Sequence, residues 1–208
     1  MALLARDERI SRRSWLLAGL AIPLSRLRAA ELLNVSFDGD NLRVAAPGLH
    51  FLTGKPLERL KDASTVTFLS QLTLFTDARG TVMKRVPERL VVSYDLWEEK
   101  FSVTIPGGSK RHIPNVSAAE AESWCLENLA ISALGIAPAR PFWLRFELRT
   151  ADRRELASVV GDSGVSLSGL IDLFSRKPGA GEPSWVRTGG PYRLQDLPRT
   201  PSGRGRIG

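Results

Sequence analysis

Hydrophobic and polar residues alternate along much of the chain after residue 32, a pattern typical of β-strands buried on one face. Segments 33–37 and 42–44 alternate on either side of the turn-forming run Asp38-Gly-Asp-Asn41, which predicts a β-hairpin. The clearest strand runs from Val66 to Thr76. Because its second face is only partly polar, we expect this strand to be covered on both sides.

Three later segments, 90–96, 101–105 and 142–149, also alternate. Only Trp97-Glu-Glu99 separates the strong patterns of the first two, so they predict a tight hairpin with a solvated tip. In segment 142–149 the apolar residues alternate with one aromatic and three charged residues. This strand is therefore expected to have one dry and one wet face.

Helix signals are fewer than strand signals. Ser117-Ala-Ala-Glu120 is a capping box, and it predicts a helix from 117 to about 134 that ends before Gly135. We expect Trp124 to face inward from this helix onto the strand 66–76. Segments 56–62 and 166–175 predict two short peripheral helices.

The order of these elements indicates the fold class. Successive strands joined by short turns favour an antiparallel sheet or sandwich, and a regular β–α–β alternation is missing from the sequence. The sequence therefore predicts a mainly β (α+β) fold with one packed helix at 117–134. We expect a single β-rich domain at 31–198, between an N-terminal signal at 1–30 and a disordered basic tail at 199–208.

The first thirty residues have the features of an export signal. An arginine pair and an aromatic residue precede a short apolar run, and this arrangement resembles a twin-arginine signal; its motif residues are Arg12, Arg13, Trp15 and Leu16. Cleavage is expected after Ala29 or Ala30. The alternatives are the general secretory pathway, an ordinary amphipathic helix, or a retained anchor, although about ten apolar residues cannot cross a hydrocarbon core of ~30 Å.

Charge placement narrows the choice of partners. The formal net charge is +7, but it belongs to the two ends: residues 1–30 carry +4, the tail 199–208 carries +3, and 31–198 is balanced. A broad nucleic-acid-binding face is therefore not expected. The expected partners are the translocation machinery, through the signal, and an envelope protein or lipid.

Signatures of catalysis and cofactor binding are weak throughout. His50, His112 and Cys125 lie far apart in sequence, which does not suit a metal site. The run from Gly48 to Lys55 has the wrong spacing for a phosphate-binding loop, and no Gly-x-Ser-x-Gly sequence occurs. We expect no catalytic, cofactor-binding or metal-binding residues.

Other chemically active residues have structural interpretations. Cys125 follows Trp124 on an apolar helix face and is expected to be a buried, inert thiol. The basic clusters Lys84-Arg85 and Lys110-Arg111-His112 are interpreted as charges that protect strand edges rather than contacts to lipid or acidic partners. Trp143 is expected to pack under the helix 117–134.

Part of the chain resembles a known family. A long apolar strand precedes Arg89-Leu-Val-Val-Ser-Tyr-Asp95, then Lys100-Phe-Ser-Val103 with Pro-Gly-Gly, then an alanine-rich helix. This arrangement, from Val66 to Arg149, is similar to domain-of-unknown-function family 4390 of bacteria. The resemblance implies an exported or membrane-anchored β-rich protein, sometimes encoded near sensor-kinase genes, and assigns no catalytic residue. The segment 166–197 departs from the family pattern.

Three functions agree with these observations. The first is a non-enzymatic binding or accessory module, exported to the periplasm or otherwise associated with the cell envelope. The second is a hydrolase or isomerase whose site is assembled from distant residues such as Asp95, His112 and Glu147. The third is a periplasmic accessory of a membrane sensor kinase, which would use an exposed apolar patch.

Overall fold

The computed structural model describes residues 33–107, 111–151, 160–161, 164–165, 167–175 and 182–199. Several residues singled out in the sequence lie outside these ranges, namely the motif residues Arg12, Arg13, Trp15 and Leu16, the cleavage residues Ala29 and Ala30, Lys110, and the tail from residue 200 onward. Export and cleavage therefore stay predictions. Arg199, expected to begin a disordered tail, forms a parallel bridge with Phe37, whose N–H also donates to the Pro198 carbonyl at 2.9 Å.

The strands form antiparallel sheets. In spatial order the six-stranded sheet contains Ser184–Tyr192 (β11), Phe142–Ala151 (β8), Val66–Phe75 (β3), Val82–Asp95 (β4), Lys100–Ile105 (β5) and Arg111–Val116 (β6). A three-stranded sheet contains Asn34–Phe37 (β1), Asn41–Ala45 (β2) and Ala130–Ser132 (β7). The short strands Val160–Gly161 (β9) and Gly164–Val165 (β10) pair with each other.

Within the described ranges, three α-helices accompany the sheets: Gly54–Lys61 (α1), Ala118–Glu127 (α2) and Leu167–Ser175 (α3). A 3-10 turn follows at Leu194–Asp196. The predicted mainly β, antiparallel fold class is confirmed. Of the helices in the described ranges, none has the length and apolar character needed to cross a bilayer.

Helix α2 begins as predicted and ends earlier than predicted. Both hydrogen bonds of the capping box are present, because Ser117 Oγ accepts from the Glu120 N–H and the Glu120 carboxylate accepts from the Ser117 N–H. The helix ends at Glu127, where Asn128 Nδ2 donates to the Trp124 carbonyl at 2.8 Å and satisfies one of its terminal acceptors. The prediction of one helix over 117–134 is wrong, since residues 130–132 instead pair with β2.

The inward face of α2 also differs from the expectation. Ala121, Cys125 and Leu126 are buried in the main core, whereas Trp124 is only half-buried at its margin. Ala121 and Cys125 are four residues apart and lie on the same side of the helix. Trp124 therefore packs against the core as expected, but at its margin and not at the centre of the inward face.

The extent and pairing of the strands depend on contacts that sequence order does not show. β4 is one strand of 14 residues, and β6 and β11 form the two edges of the large sheet. β3 pairs on one side with β4 and on the other with β8, which lies some seventy residues further along the chain. The edge strand β6 contains Pro114, which fits an edge because proline cannot donate a ladder hydrogen bond.

The six-stranded sheet has two different faces. We call the face that carries Phe68, Leu72 and Leu74 the dry face. These residues belong to the main hydrophobic core, to which the three-stranded sheet, α1 and α2 also contribute side chains. We call the opposite face, which carries Gln71 and Thr73, the polar face. There Leu173 of α3 packs against Leu69 and Ala151, so β3 is covered on both sides as predicted.

Candidate functional site

The structure does not bring together the three residues considered for a distant catalytic site. Asp95 ends β4 and accepts hydrogen bonds from the backbone N–H groups of Trp97 and Glu98 at 2.8 and 3.1 Å. His112 lies on the edge strand β6 with Nδ1 3.0 Å from Thr104 Oγ1, while Glu147 lies on β8. Three strands separate β8 from β6, which places them about 19 Å apart at ~4.8 Å per strand.

The carboxylate pair Glu98–Glu99 lies at the exposed tip of the β4–β5 hairpin, as predicted. Trp97 at the same tip is 94% exposed, and Leu96 is also exposed. The side chain of Asp95 closes this turn through the two hydrogen bonds described above. Its carboxylate therefore has a structural use that does not require a substrate.

Cys125 is buried and free, as the sequence indicated. Burial, with a smaller contribution from the nearby Glu122 carboxylate, raises the pKa of the Cys125 thiol to about 12. The thiolate needed for nucleophilic attack is therefore scarce at neutral pH. Among the described residues, no group of three or more His, Cys, Asp or Glu side chains is arranged to hold a metal ion.

Glu122 is a buried carboxylate that the sequence analysis missed. It is 4% exposed, and its Oε1 accepts hydrogen bonds from the N–H groups of Phe51 and Leu52 at 2.7 Å each. Its Oε2 lies 2.9 Å from His50 Nδ1. These three partners join α2 to the segment before α1, so Glu122 and His50 form a structural clamp.

In the described structure, one residue of each basic cluster makes hydrogen bonds that hold the fold together, which the sequence did not predict. Lys84 Nζ donates to the carbonyls of Ser132 and Leu134 at 3.2 and 3.3 Å and thus joins β4 to the end of β7. Arg85, the next residue in the strand, lies on the polar face. β4 pairs with β5 only over Val91–Asp95, so the stretch that carries Lys84 and Arg85 has a partner strand on the β3 side alone. Edge protection is therefore not contradicted for this cluster, although Lys84 also has structural partners.

In the second cluster, Arg111 is partly buried and has a structural partner. One of its Nη atoms donates to the Asn128 carbonyl at 2.6 Å, and the other donates to Glu88 at 3.3 Å. Burial raises the pKa of Glu88 above its usual value, and the adjacent Arg111 offsets only part of this rise. His112 is exposed on the edge strand, so edge protection describes His112 and not Arg111.

The tryptophans outside the helix lie in separate environments. Trp185 joins an aromatic group on the dry face, with its ring 6.2 Å from those of Phe51 and Phe68. Trp143 is half-buried beside Gly190, where an added Cβ would lie 2.7 Å from the indole ring. Because Trp143 alternates with the core residues of β8, it points away from α2, and the expectation that it packs under that helix is wrong.

A cavity of about 250 Å³ opens between the polar face and α3. We call it the basic cleft. Its polar lining comes mainly from β3, β4 and β8, and its apolar lining comes from strand ends and from α3. The lining residues are Gln71, Thr73, Phe75, Gly80, Val82, Arg85, Arg145, Glu147, Ile171, Phe174 and Ser175.

Strand register brings the polar residues of the cleft together. Thr73 of β3 pairs with Arg85 of β4 on one side and with Arg145 of β8 on the other. Two residues away along β3, Gln71 pairs with Glu147. Because residues two apart in a strand share a face, all five side chains belong to the same surface.

Gln71 has an unsatisfied polar atom in this cleft. Its side chain is 5% exposed, and Nε2 donates to Thr73 Oγ1 at 3.3 Å and to a Glu147 carboxylate oxygen at 3.4 Å. A carboxylate accepts but does not donate, so the amide nitrogen has to face it. The buried Oε1 is then left without a hydrogen-bond partner within the described part of the chain.

Helix α3 forms the second wall of the cleft. Arg149 is buried and donates through Nη1 to the Leu173 carbonyl at 3.0 Å, and its guanidinium lies 5.6 Å from the centre of the Phe174 ring. These contacts hold the helix against the polar face. They also keep Arg149 itself engaged in structure, so it is not a residue of the cleft lining.

The cleft has chemistry suited to binding. An arginine side chain stays protonated in proteins and is a poor acid or base, and Glu147 is engaged by Arg145 at 2.8 Å and by Gln71. The fold and this site define an α+β protein with a polar cleft of small-ligand size.

Searches of protein-family models, curated proteins and solved structures found no match for the chain. In the sequence, the one signal for this site is Gln71, a polar residue within the otherwise apolar strand 66–75.

Proposed function

We propose that the protein is an exported, envelope-associated binding module that holds a small polar ligand in the basic cleft and performs no chemistry on it. The observation that carries the proposal is the buried Oε1 of Gln71, which lines the cleft and has no partner within the described residues. Leaving a buried acceptor unpaired costs about 1–3 kcal/mol, and a bound donor removes that cost. A ligand is therefore favoured at this position.

The other functions receive less support. A hydrolase or isomerase built from Asp95, His112 and Glu147 would need these groups within hydrogen-bond reach of one substrate, and they lie on well-separated strands. An accessory that contacts lipid or a sensor would use the exposed Trp97. The acidic residues at that tip, Glu98 and Glu99, would repel an anionic lipid surface.

Export is part of the proposal and rests on the arginine pair in the first thirty residues. The similarity of the segment from Val66 to Arg149 to domain-of-unknown-function family 4390 is also part of the proposal, because this similarity implies the same location.

The double substitution Arg12→Lys with Arg13→Lys keeps the charge of the signal but removes both guanidinium groups. We expect this variant to remain in the cytoplasm, as measured by cell fractionation. Export as efficient as that of the parent chain would reject the twin-arginine assignment.

Ligand binding can be tested on the chain recovered from the envelope of its producing cells. Native mass spectrometry is expected to show a small-molecule mass increment on the parent chain. Gln71→Leu should lose this increment, because it removes the acceptor and fills part of the cleft. Gln195→Leu, at an exposed position away from the cleft, is the matched control and should keep it. If the parent chain carries no increment and also binds no added small polar ligand, the binding proposal fails.

A further inference from the structure

We infer that the basic cleft binds a small hydroxylated monoanion, of the class of a single sugar acid. This inference rests on the proposed binding function and specifies its ligand. Three features of the cleft carry it: a free cation at one end, an unsatisfied acceptor one register step away, and an apolar wall on α3.

The charge of the lining favours a single negative charge on the ligand. Among the lining residues that the structure describes, Arg85 and Arg145 are the cations and Glu147 is the anion, which leaves a balance of +1. Glu147 already neutralises Arg145, with Nη2 and Oε1 2.8 Å apart. Arg85 is exposed and forms no ion pair with any residue in the described ranges. A carboxylate on the ligand would pair with Arg85, with the Thr73 hydroxyl beside it.

The second polar position needs a hydrogen-bond donor. Gln71 Oε1 accepts only, and the Glu147 carboxylate next to it also accepts. A hydroxyl group can donate to either of them. Gln71 lies two residues along β3 from Thr73, and Arg85 pairs with Thr73 from the neighbouring strand. The backbone positions of Gln71 and Arg85 are therefore about 8 Å apart, so a ligand that reaches both side chains needs two polar groups on opposite sides of a small ring.

The size and the apolar wall fit one sugar ring. The volume of about 250 Å³ lies just below the ~300–1,000 Å³ typical of sites for drug-sized ligands. Phe75, Ile171 and Phe174 line the cleft and can contact the C–H surface of a ring. A larger polyanion would bring additional negative charge toward Glu147.

Simpler ligands satisfy only part of this arrangement. A neutral sugar leaves Arg85 without a counter-ion, and a bare carboxylate leaves Gln71 Oε1 without a donor. The inference therefore predicts that affinity requires both groups on one molecule. It can be tested by calorimetric titration of the exported chain with D-glucuronate, D-glucose and acetate.

Glucuronate is expected to bind at least tenfold more tightly than glucose or acetate. Arg85→Gln should weaken glucuronate binding at least tenfold, because a charge-assisted hydrogen bond is lost. Arg59→Gln removes the same charge from an exposed position on α1 and should change the affinity less than twofold. Gln71→Leu should also weaken glucuronate binding. Unlike a substitution in the hydrophobic core, it should not lower the free energy of unfolding.

The outcomes separate the ligand class from the binding function. If glucose binds as tightly as glucuronate, or if Arg85→Gln leaves glucuronate binding unchanged, the sugar-acid inference is overturned. If glucuronate does not bind while the envelope-derived chain still carries a mass increment that depends on Gln71, the ligand class is wrong and the binding proposal stands. If both the increment and glucuronate binding are absent, both are rejected.

Discussion

The two faces of the six-stranded sheet are built from alternate residues of the same strands, yet they have opposite properties. On the dry face, Phe68, Leu72 and Leu74 are at most 1% exposed and belong to a core shared with a second sheet and two helices. On the polar face, Gln71 and Thr73 are also buried, but beside a polar cleft under one helix. Burial alone therefore does not distinguish a packing surface from a binding surface.

The difference is clearest in two buried polar side chains. Glu122, next to the dry face, is 4% exposed and has three close partners for its carboxylate. Gln71, on the polar face, is 5% exposed and has one buried atom without a partner in the described structure. The first group holds the fold together, whereas the second leaves an acceptor available in the basic cleft, where we propose that a ligand binds. Substitutions on the two sides should therefore change stability in opposite directions.

The largest effect is expected on the dry face. Phe68→Ala should lower the free energy of unfolding by about 3–5 kcal/mol, as for other buried large aromatics. The Phe68 side chain is fully buried, and its ring centre lies 5.0 Å from that of Phe51. Urea unfolding of the exported chain measures this loss. Glu98→Ala, at the exposed hairpin tip, serves as the control and should stay within about 0.5 kcal/mol.

The next effect tests the satisfied polar group. Glu122→Leu should lower the free energy of unfolding by about 2–4 kcal/mol, because the buried N–H groups of Phe51 and Leu52 lose their acceptor. Glu127→Leu on the same helix removes an exposed carboxylate and should change stability by less than about 0.5 kcal/mol. Equal effects of the two substitutions in urea melts would contradict the clamp assigned to Glu122.

A smaller loss is expected at the margin of the dry core. Trp124→Ala should cost about 1–2 kcal/mol, less than Phe68→Ala, because Trp124 is only half-buried. The measurement is again urea unfolding, with the two variants compared under identical conditions. A loss as large as that of Phe68→Ala would place Trp124 at the centre of the core and contradict its position on α2.

The smallest effect has the opposite sign. Gln71→Leu should raise the free energy of unfolding by about 1 kcal/mol, because it removes a buried unsatisfied acceptor and loses only two long hydrogen bonds of 3.3 and 3.4 Å. Thermal unfolding without added ligand measures the change, and Gln195→Leu should leave stability unaltered within about 0.5 kcal/mol. A clear destabilisation by Gln71→Leu would remove the contrast between the faces.

Local patterns predicted most of the elements correctly. The alternation at Val66–Thr76, the capping box at Ser117 and the hairpin tip at 97–99 all correspond to observed elements, because each depends on neighbours within a few residues. The predicted end of α2 was wrong because it depends on a distant segment. The local sequence pattern predicts that residues 130–132 continue the helix, but in the structure they pair with β2, which lies far away along the chain.

The sequence by itself determined the alternating strands, the antiparallel fold class, the helix start at Ser117 and the burial of Cys125, since periodicity and capping act over short distances. Only the tertiary structure decided that β8 lies beside β3 and that Arg85, Thr73 and Arg145 meet in one row. It also decided that Gln71 is buried with an unpaired oxygen. Strand register between distant segments is set by the packing of the whole sheet, because a slip of one residue would exchange the dry and polar faces.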